Sequence, residues 1–481
     1  VQPARKPDEA AVDRTRLTLV EAAAAIREGV FTAEAYARAL LERCERATHL
    51  NAFVALDRER VIADARAADH RQRAGKATGP LHGIPLAIKD SVDIAGLPTT
   101  AGTPALADHV VGRTATLVQR LFGAGALLLG KTCMHELAFG ITSSNAFSGA
   151  TRNPYHPGKS AGGSSGGSAV AVAARMAPAG IGSDTAGSVR IPAAHCGVFG
   201  FRPTTGRYPC DGFVPLFHTR DTPGFMARSA GDIALLDAVA SDEHERPAIG
   251  LRGLRIGLPG AAYFDGVEQR VSEVIESELR RLSRLGVAFI DAPPPEFGPA
   301  LGEVTDIIRA WELPRDIAGY LRETGARVSF EEVLAAIADP HVRDDVAFAL
   351  TDSDRHGLEQ AYREVVYGVL PRHRAAYSAY FRKHDLAAIA FPTTPLAPTP
   401  IDANVEVLLD DHPVSIWRTL RNTVPATLRA APGISLPAGV TGDGLPVGLE
   451  LDGAPGADRD LLAIAIAWEG AHPGLPEPPA P

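Results

Sequence analysis

The chain has 481 residues, 45% of them hydrophobic and 22% charged, which is enough apolar material for a large core. Its formal charge of −9 and the lack of any basic run interleaved with aromatics argue against nucleic acid or an anionic membrane as a partner. Gly and Pro, at 47 and 38 residues, are somewhat enriched but follow no period, which excludes collagen-like and low-complexity classes.

Cys44, Cys133, Cys196 and Cys210 are scattered, with no C-x-x-C pair. Neither a disulfide framework nor a zinc site is therefore expected, and a reducing cytoplasm is the expected compartment. No stretch reaches the roughly 20 apolar residues of a spanning helix. Residues 1–16 read as a loose polar arm without a signal-peptide core.

Two amphipathic helices come next. Thr18 and Glu21 have capping-box spacing ahead of Leu19, Ala22, Ala23 and Ile26, which recur at helical intervals. Thr32 can cap a second helix with Tyr36, Leu40, Leu41 and Cys44 on one stripe. Residues 51–56 read as a strand these helices could cover. Between 80 and 210, apolar runs such as Pro85 to Ile88 and Ala126 to Leu129 alternate with Gly, Ser, Thr and Asn clusters, which predicts buried strands joined by tight loops. The stretch 241–380, after a strand at 254–258, is expected to form a mostly helical cap. Strands at 386–391 and 447–451 return at the end, so one sheet is expected to draw on distant segments, in an α/β fold of a single domain.

Three local patterns bear on chemistry. Gly125 to Thr132 fits the phosphate-loop expression G-x-x-x-x-G-K-[ST] ending in Lys131 and Thr132, but its centre is Ala-Leu-Leu-Leu, the body of a buried strand. Gly163 to Gly167 fits the nucleophile elbow G-x-S-x-G at Ser165, yet the residues before it, with Pro154 and Pro157, are no strand. The third pattern is larger. Gly162 to Ser168 packs four glycines and three serines into seven residues, and a second cluster runs from Gly182 through Ser188 to Pro192. Such small residues let backbone N–H groups approach a substrate oxygen closely. A serine nucleophile needs a base. No histidine is an evident one, and His195 reads equally as a core residue. Lys89 ends the apolar run Ile84 to Ile88, where burial would lower its pKa and free the amine to accept a proton.

These three pieces, ending at Lys89, at 162–168 and at 182–192, resemble the amidase signature family of serine hydrolases. Ser164 and Ser188 stand 24 residues apart, as in that family. The resemblance implies a central mixed β-sheet covered by helices on both faces, with a mostly helical insertion. It further implies that Ser188 is the nucleophile, Ser164 a bridging serine in a cis peptide bond, and Lys89 the base, with Ser165 in support. The backbone N–H groups of Thr185, Ala186, Gly187 and Ser188 would form the oxyanion hole. No metal and no cofactor are implied.

Many members carry two glycines before the nucleophile, whereas this chain has Ala186-Gly187-Ser188, a methyl that narrows the acyl side of the site. The segments 215–224 and 444–452 are similar to the mandelamide and indoleacetamide hydrolase branch, which implies cleavage of a primary arylacetamide to acid and ammonia. Carbamate and anilide hydrolysis, and service as an amidotransferase subunit acting on aminoacyl-tRNA, stay open at this point. The expected partner is a small-molecule amide, and the sequence leaves a homodimer open. Specificity residues are expected in the helical middle, with Trp311 and Phe330 as candidates.

Overall fold

Pro85–Lys89 and Leu127–Thr132 are buried at every position, the pattern of strands enclosed between helical layers. The computed structural model describes residues 13–76, 79–243, 249–296, 301–351, 356–403 and 405–479. Its strands in chain order are β1 (Phe53–Ala55), β2 (Pro85–Lys89), β3 (Leu127–Thr132), β4 (Ala179–Asp184), β5 (Phe199–Arg202), β6 (Thr222–Ala227) and β7 (Arg255–Leu258). They continue with β8 (Ala288–Asp291), β9 (Ala388–Pro392), β10 (Glu406–Leu409), β11 (His412–Ser415), β12 (Gly433–Val440) and β13 (Pro446–Asp452). Eleven of them form one mixed sheet in the order β1-β3-β2-β4-β6-β5-β12-β13-β9-β7-β8, and β10 pairs with β11 in a separate hairpin. β2 runs parallel to β3 and to β4, and β7 parallel to β8 and to β9. The α/β fold with helices on both faces of a mixed sheet is as expected.

The helix Leu19–Arg27 starts at a capping box, the Thr18 hydroxyl accepting from Glu21 N–H at 3.2 Å and the Glu21 carboxylate from Thr18 N–H at 2.9 Å. It buries Leu19, Ala22, Ala23 and Ile26. Its first N–H groups also meet a distant carboxylate, Leu19 and Val20 donating to Asp232 at 3.0 and 2.9 Å, which docks it on the helix Ala230–Ser241. The following helix, Ala33–Arg46, does the same with Asp69. The strand expected at 51–56 is shorter, because it lies at the sheet edge with Val54 37% exposed. Of the expected loose arm, residues 1–12 lie outside the described residues, and Arg14–Arg16 form a 3-10 turn capped by Asp13.

The stretch 241–380 divides in two. β7, the helix Gln269–Arg284 and β8 make a parallel crossover that extends the main sheet. The helical cap proper begins at Leu301. The helices Leu301–Thr324, Phe330–Ala335, Pro340–Leu350 and Leu358–Glu364 gather around their own apolar cluster, which also takes in Leu216 and Phe217 from the body. Among the described residues no helix is long and apolar enough to cross a membrane.

Candidate active site

The parallel pairing of β2 with β4 sets Ile88 beside Ile181, so the C-terminal ends of both strands lie at one edge of the sheet. That edge is where open α/β sheets place their chemistry. Lys89 is the last residue of β2 and is fully buried. Its Nζ donates to Ser164 Oγ at 2.7 Å and to Ser183 Oγ, near the end of β4, at 2.9 Å. Burial pushes the amine down to about 7, against the opposing pull of Asp184 and Asp221. An amine at that value can give or take a proton near neutrality.

The glycine-serine segment is pinned on both sides of Ser164. The Gly163–Ser164 peptide is cis. The Ser164 carbonyl accepts from His135 N–H at 3.1 Å and from the Ser143 hydroxyl at 3.3 Å. The fully buried helix Gly166–Ala173 follows at once. Ser165 ties the two serine loops together, its N–H donating to the Ser188 carbonyl at 3.2 Å and its hydroxyl to the Ser183 carbonyl at 3.3 Å. A nucleophile elbow needs a strand immediately upstream, and the last described strand before Ser165 ends at Thr132.

Ser188 sits in the turn between β4 and the helix Arg190–Cys196. The Asp184 carboxylate braces that turn, accepting from Gly187 N–H at 2.9 Å and Val189 N–H at 3.3 Å. Arg190 Nε lies 3.0 Å and Arg202 Nη1 3.3 Å from the same carboxylate, all three groups fully buried. Burial alone would raise the Asp184 pKa, but the two guanidinium groups and the N–H donors hold it down at about 2. Arg190 continues to Glu450 at 2.9 Å. Of the four N–H groups expected in the oxyanion hole, that of Gly187 points at the Asp184 carboxylate. Ala186 does not take a positive φ, so its backbone is open to alanine.

A cavity of about 350 Å³ opens on Ser188, Thr185 and Ala186. Its wall is mainly apolar and aromatic, with Phe139, Ile141, Leu216, Phe217, Phe348 and Trp417. The cap contributes Thr305, Arg309 and Phe348, the last 63% exposed at the rim. Trp311 and Phe330 do not line it. Trp311 stacks on Tyr362 at 5.3 Å, because two residues beyond Arg309 is roughly 200° around a helix. Phe330 is buried in the cap's own core. Sequence reasoning missed Phe348 and Trp417, which carry no local signature.

Ser183, Asp184 and Asp221 were likewise not singled out, though Ser183 and Asp184 lie inside the quoted cluster. The Thr185 hydroxyl donates to Asp221, whose carboxylate also accepts from Leu216 and Phe217 N–H at 2.7 and 3.0 Å. The strap 215–221 is thus closed onto the turn that carries Ser188. Its other side is held by the cap. His218 Nδ1 lies 2.9 Å from Asp316, and Thr219 N–H and hydroxyl donate to Glu312 at 3.2 and 3.1 Å. Tyr362 donates to Glu312 at 2.7 Å. Ligand atoms of His218, Glu312 and Asp316 lie within 4.8 Å of one another, and each is engaged in these bonds.

Lys131 lies far from a phosphate cradle. It is buried in β3, with Nζ 3.1 Å from Asp90 and donating to the Val92 carbonyl at 2.8 Å. His195 is buried in the helix after Ser188, and burial lowers it to about 4, which suits a neutral core residue.

The geometry has relatives. A family model described as amidase matches residues 35–462. The chain is 42% identical over 438 residues to an indoleacetamide hydrolase of Agrobacterium vitis, covering 90% of this chain and 92% of that protein. It is 37% identical over 465 residues to a mandelamide hydrolase of Pseudomonas putida, covering 93% and 90%. Among solved structures, an amidase superposes with a TM-score of 0.82 at 33% identity, covering 95% of this chain and 99% of its own. A peptide amidase in complex with the competitive inhibitor chymostatin superposes with a TM-score of 0.82 at 29% identity, covering 96% and 99%.

Proposed function

The chain belongs to the amidase family and is an amide hydrolase; from that premise we propose that Ser188, Ser164 and Lys89 carry the reaction through an acyl-enzyme. Ser188 Oγ attacks the amide carbonyl carbon and passes its proton to Ser164 Oγ, which passes its own to the neutral amine of Lys89. The N–H groups of Thr185, Ala186 and Ser188 receive the developing oxyanion. The C–N bond then breaks, and the departing nitrogen takes the proton back through Ser164. Water, deprotonated by the same relay, attacks the ester on Ser188 and releases the acid. Ser165 positions the relay by holding the two loops together.

The observation that carries this reading is the buried Lys89 amine 2.7 Å from Ser164 Oγ, lowered to about 7. The aromatic wall and the size of the cavity support a primary arylacetamide as substrate, and the similarity to indoleacetamide and mandelamide hydrolases supports the same class. The sheet drawn from both ends supports a chain acting as one catalytic unit, with the cap from Leu301 onward shaping the acyl pocket. Four free cysteines support a reducing, cytoplasmic setting.

Intact-protein mass after fluorophosphonate treatment tests the machinery. One adduct is expected on the wild type and none on Ser188→Ala, with Lys89→Ala strongly slowed. Equal labelling of Ser188→Ala would overturn the assignment. A panel of arylacetamides, carbamates and anilides then fixes the substrate, and arylacetamides are expected to give the highest kcat/KM.

A further inference from the structure

Arg220 is 1% exposed and stands in the wall of the cavity onto which Ser188 opens. Its Nε donates to Thr427 Oγ1 at 3.2 Å, and its Cζ lies 5.9 Å from the Phe217 ring centre. Among the described residues its two terminal amino groups meet no hydrogen-bond acceptor, and no carboxylate lies within ion-pair reach. The contrast with the neighbouring buried arginines is plain, since Arg190 and Arg202 both bind Asp184. The carboxylates nearest in charge to Arg220 are already engaged: Asp221 by Thr185 and the strap, Glu312 by Tyr362 and Thr219, Asp184 by the two other arginines. The other charged groups of the cavity wall are Arg309, paired with Asp306 at 2.8 Å, and Asp345.

A guanidinium withdrawn from water is costly unless its donors are met. The acyl cavity, whose wall includes Arg220, is a space that can supply an acceptor to the fork. We propose that Arg220 is a specificity-determining residue, its terminal N–H groups receiving an oxygen acceptor carried by the acyl group of the substrate. The inference rests on the acyl-pocket reading above. The substrate class is an arylacetamide with an oxygen besides the scissile carbonyl. A carboxylate is held most strongly, because its two oxygens match the planar fork.

The test compares kcat/KM for phenylacetamide with that for mandelamide and the three ring-carboxylated phenylacetamides, in wild type, Arg220→Lys and Arg220→Met. At least one oxygen-bearing amide is expected to exceed phenylacetamide tenfold or more in wild type. That ratio falls to within twofold of unity in Arg220→Met and is partly kept in Arg220→Lys. A merely structural role would lower both members of a pair alike and preserve the ratio. Phenylacetamide equal to every oxygen-bearing partner in wild type, or a ratio that survives in Arg220→Met, overturns the proposal. Where Arg220→Met does not fold, Arg220→Gln replaces it, with the carboxylate preference expected to vanish. Absence of turnover by wild type on the whole panel would overturn the arylacetamide reading alone. Arg220 is then judged by protection of Ser188 from fluorophosphonate: carboxyphenylacetates should protect at least tenfold better than phenylacetate in wild type and no better in Arg220→Met, and equal protection in wild type overturns it.

Discussion

Thr423 and Gly187 compete for one volume: the threonine hydroxyl stands where a Cβ on residue 187 would fall, and it donates to the Ala186 carbonyl at 2.6 Å. Gly187 also has φ +128°, a backbone region that other residues rarely adopt. The turn that presents Ser188 is thus shaped by a residue from the far end of the chain. Gly187→Ala should cost about 2–5 kcal/mol in urea unfolding, from backbone strain and the forced shift of Thr423 together. It should also lower kcat at least about 100-fold, since the nucleophile moves with the turn.

Lys89 predicts a pH profile. Because burial brings its amine to about 7, kcat/KM should fall about tenfold per pH unit below 7 and level off above it. The sign for stability follows from the unfolded value of about 10.4. Between pH 10 and pH 7 the unfolded chain binds the extra proton and the native one does not, so this group makes stability decline as pH falls through that window. Lys89→Met should therefore abolish turnover while gaining about 1–2 kcal/mol at neutral pH. Loss of stability in Lys89→Met, measured at pH 7, would contradict this account.

Asp184→Asn should be the most damaging substitution near the site. It strands the buried charges of Arg190 and Arg202 and weakens the bracing of the Ser188 turn, at a cost of about 3–5 kcal/mol. In the wild type Asp184 is held at about 2. Its contribution is fully present above the unfolded carboxylate value near 3.9 and is lost as pH falls toward 2. Acid unfolding of the wild type and variant should converge in that range.

His218 couples the cap to the strap. Its hydrogen bond to Asp316, aided by Glu312, raises it to about 8 despite partial burial. The stabilisation is complete below about 6.5 and lost as pH rises through 8. His218→Asn should flatten that change in melting temperature between pH 6.5 and 8.5. It should also raise KM severalfold with kcat largely kept, because the strap carries Leu216 and Phe217 of the cavity wall and not the nucleophile.

Lys89 was legible as a lysine closing an apolar strand, and the two glycine-serine clusters as tight loops beside it, whereas the resemblance to the amidase signature family was needed to single out Ser164 and Ser188 within them. The capping box at Thr18 and the stripe from Leu19 to Ile26 were legible, since both depend only on near neighbours. What escaped depends on long-range closure. Phe348 and Trp417 enter the cavity from elements whose local pattern matches any core-facing residue, while Trp311, more conspicuous in sequence, turns away from it. The engagement of the Gly187 N–H by Asp184 is three residues long, yet it becomes visible only once Arg190 and Arg202 converge on the same carboxylate.

In the strand order, β12 and β13 lie between β5 and β9. The last of the described strands in chain order are therefore neither edges nor additions but the seam of the sheet. Until they arrive, the segment already holding Lys89, Ser164 and Ser188 exposes an open strand edge at β5, and Arg190 has no Glu450 to meet. A chain stopped before residue 433 would carry Lys89, Ser164 and Ser188 but neither the strand that pairs with β5 nor the carboxylate that meets Arg190, so the proposed site depends on strands synthesised long after the residues that compose it.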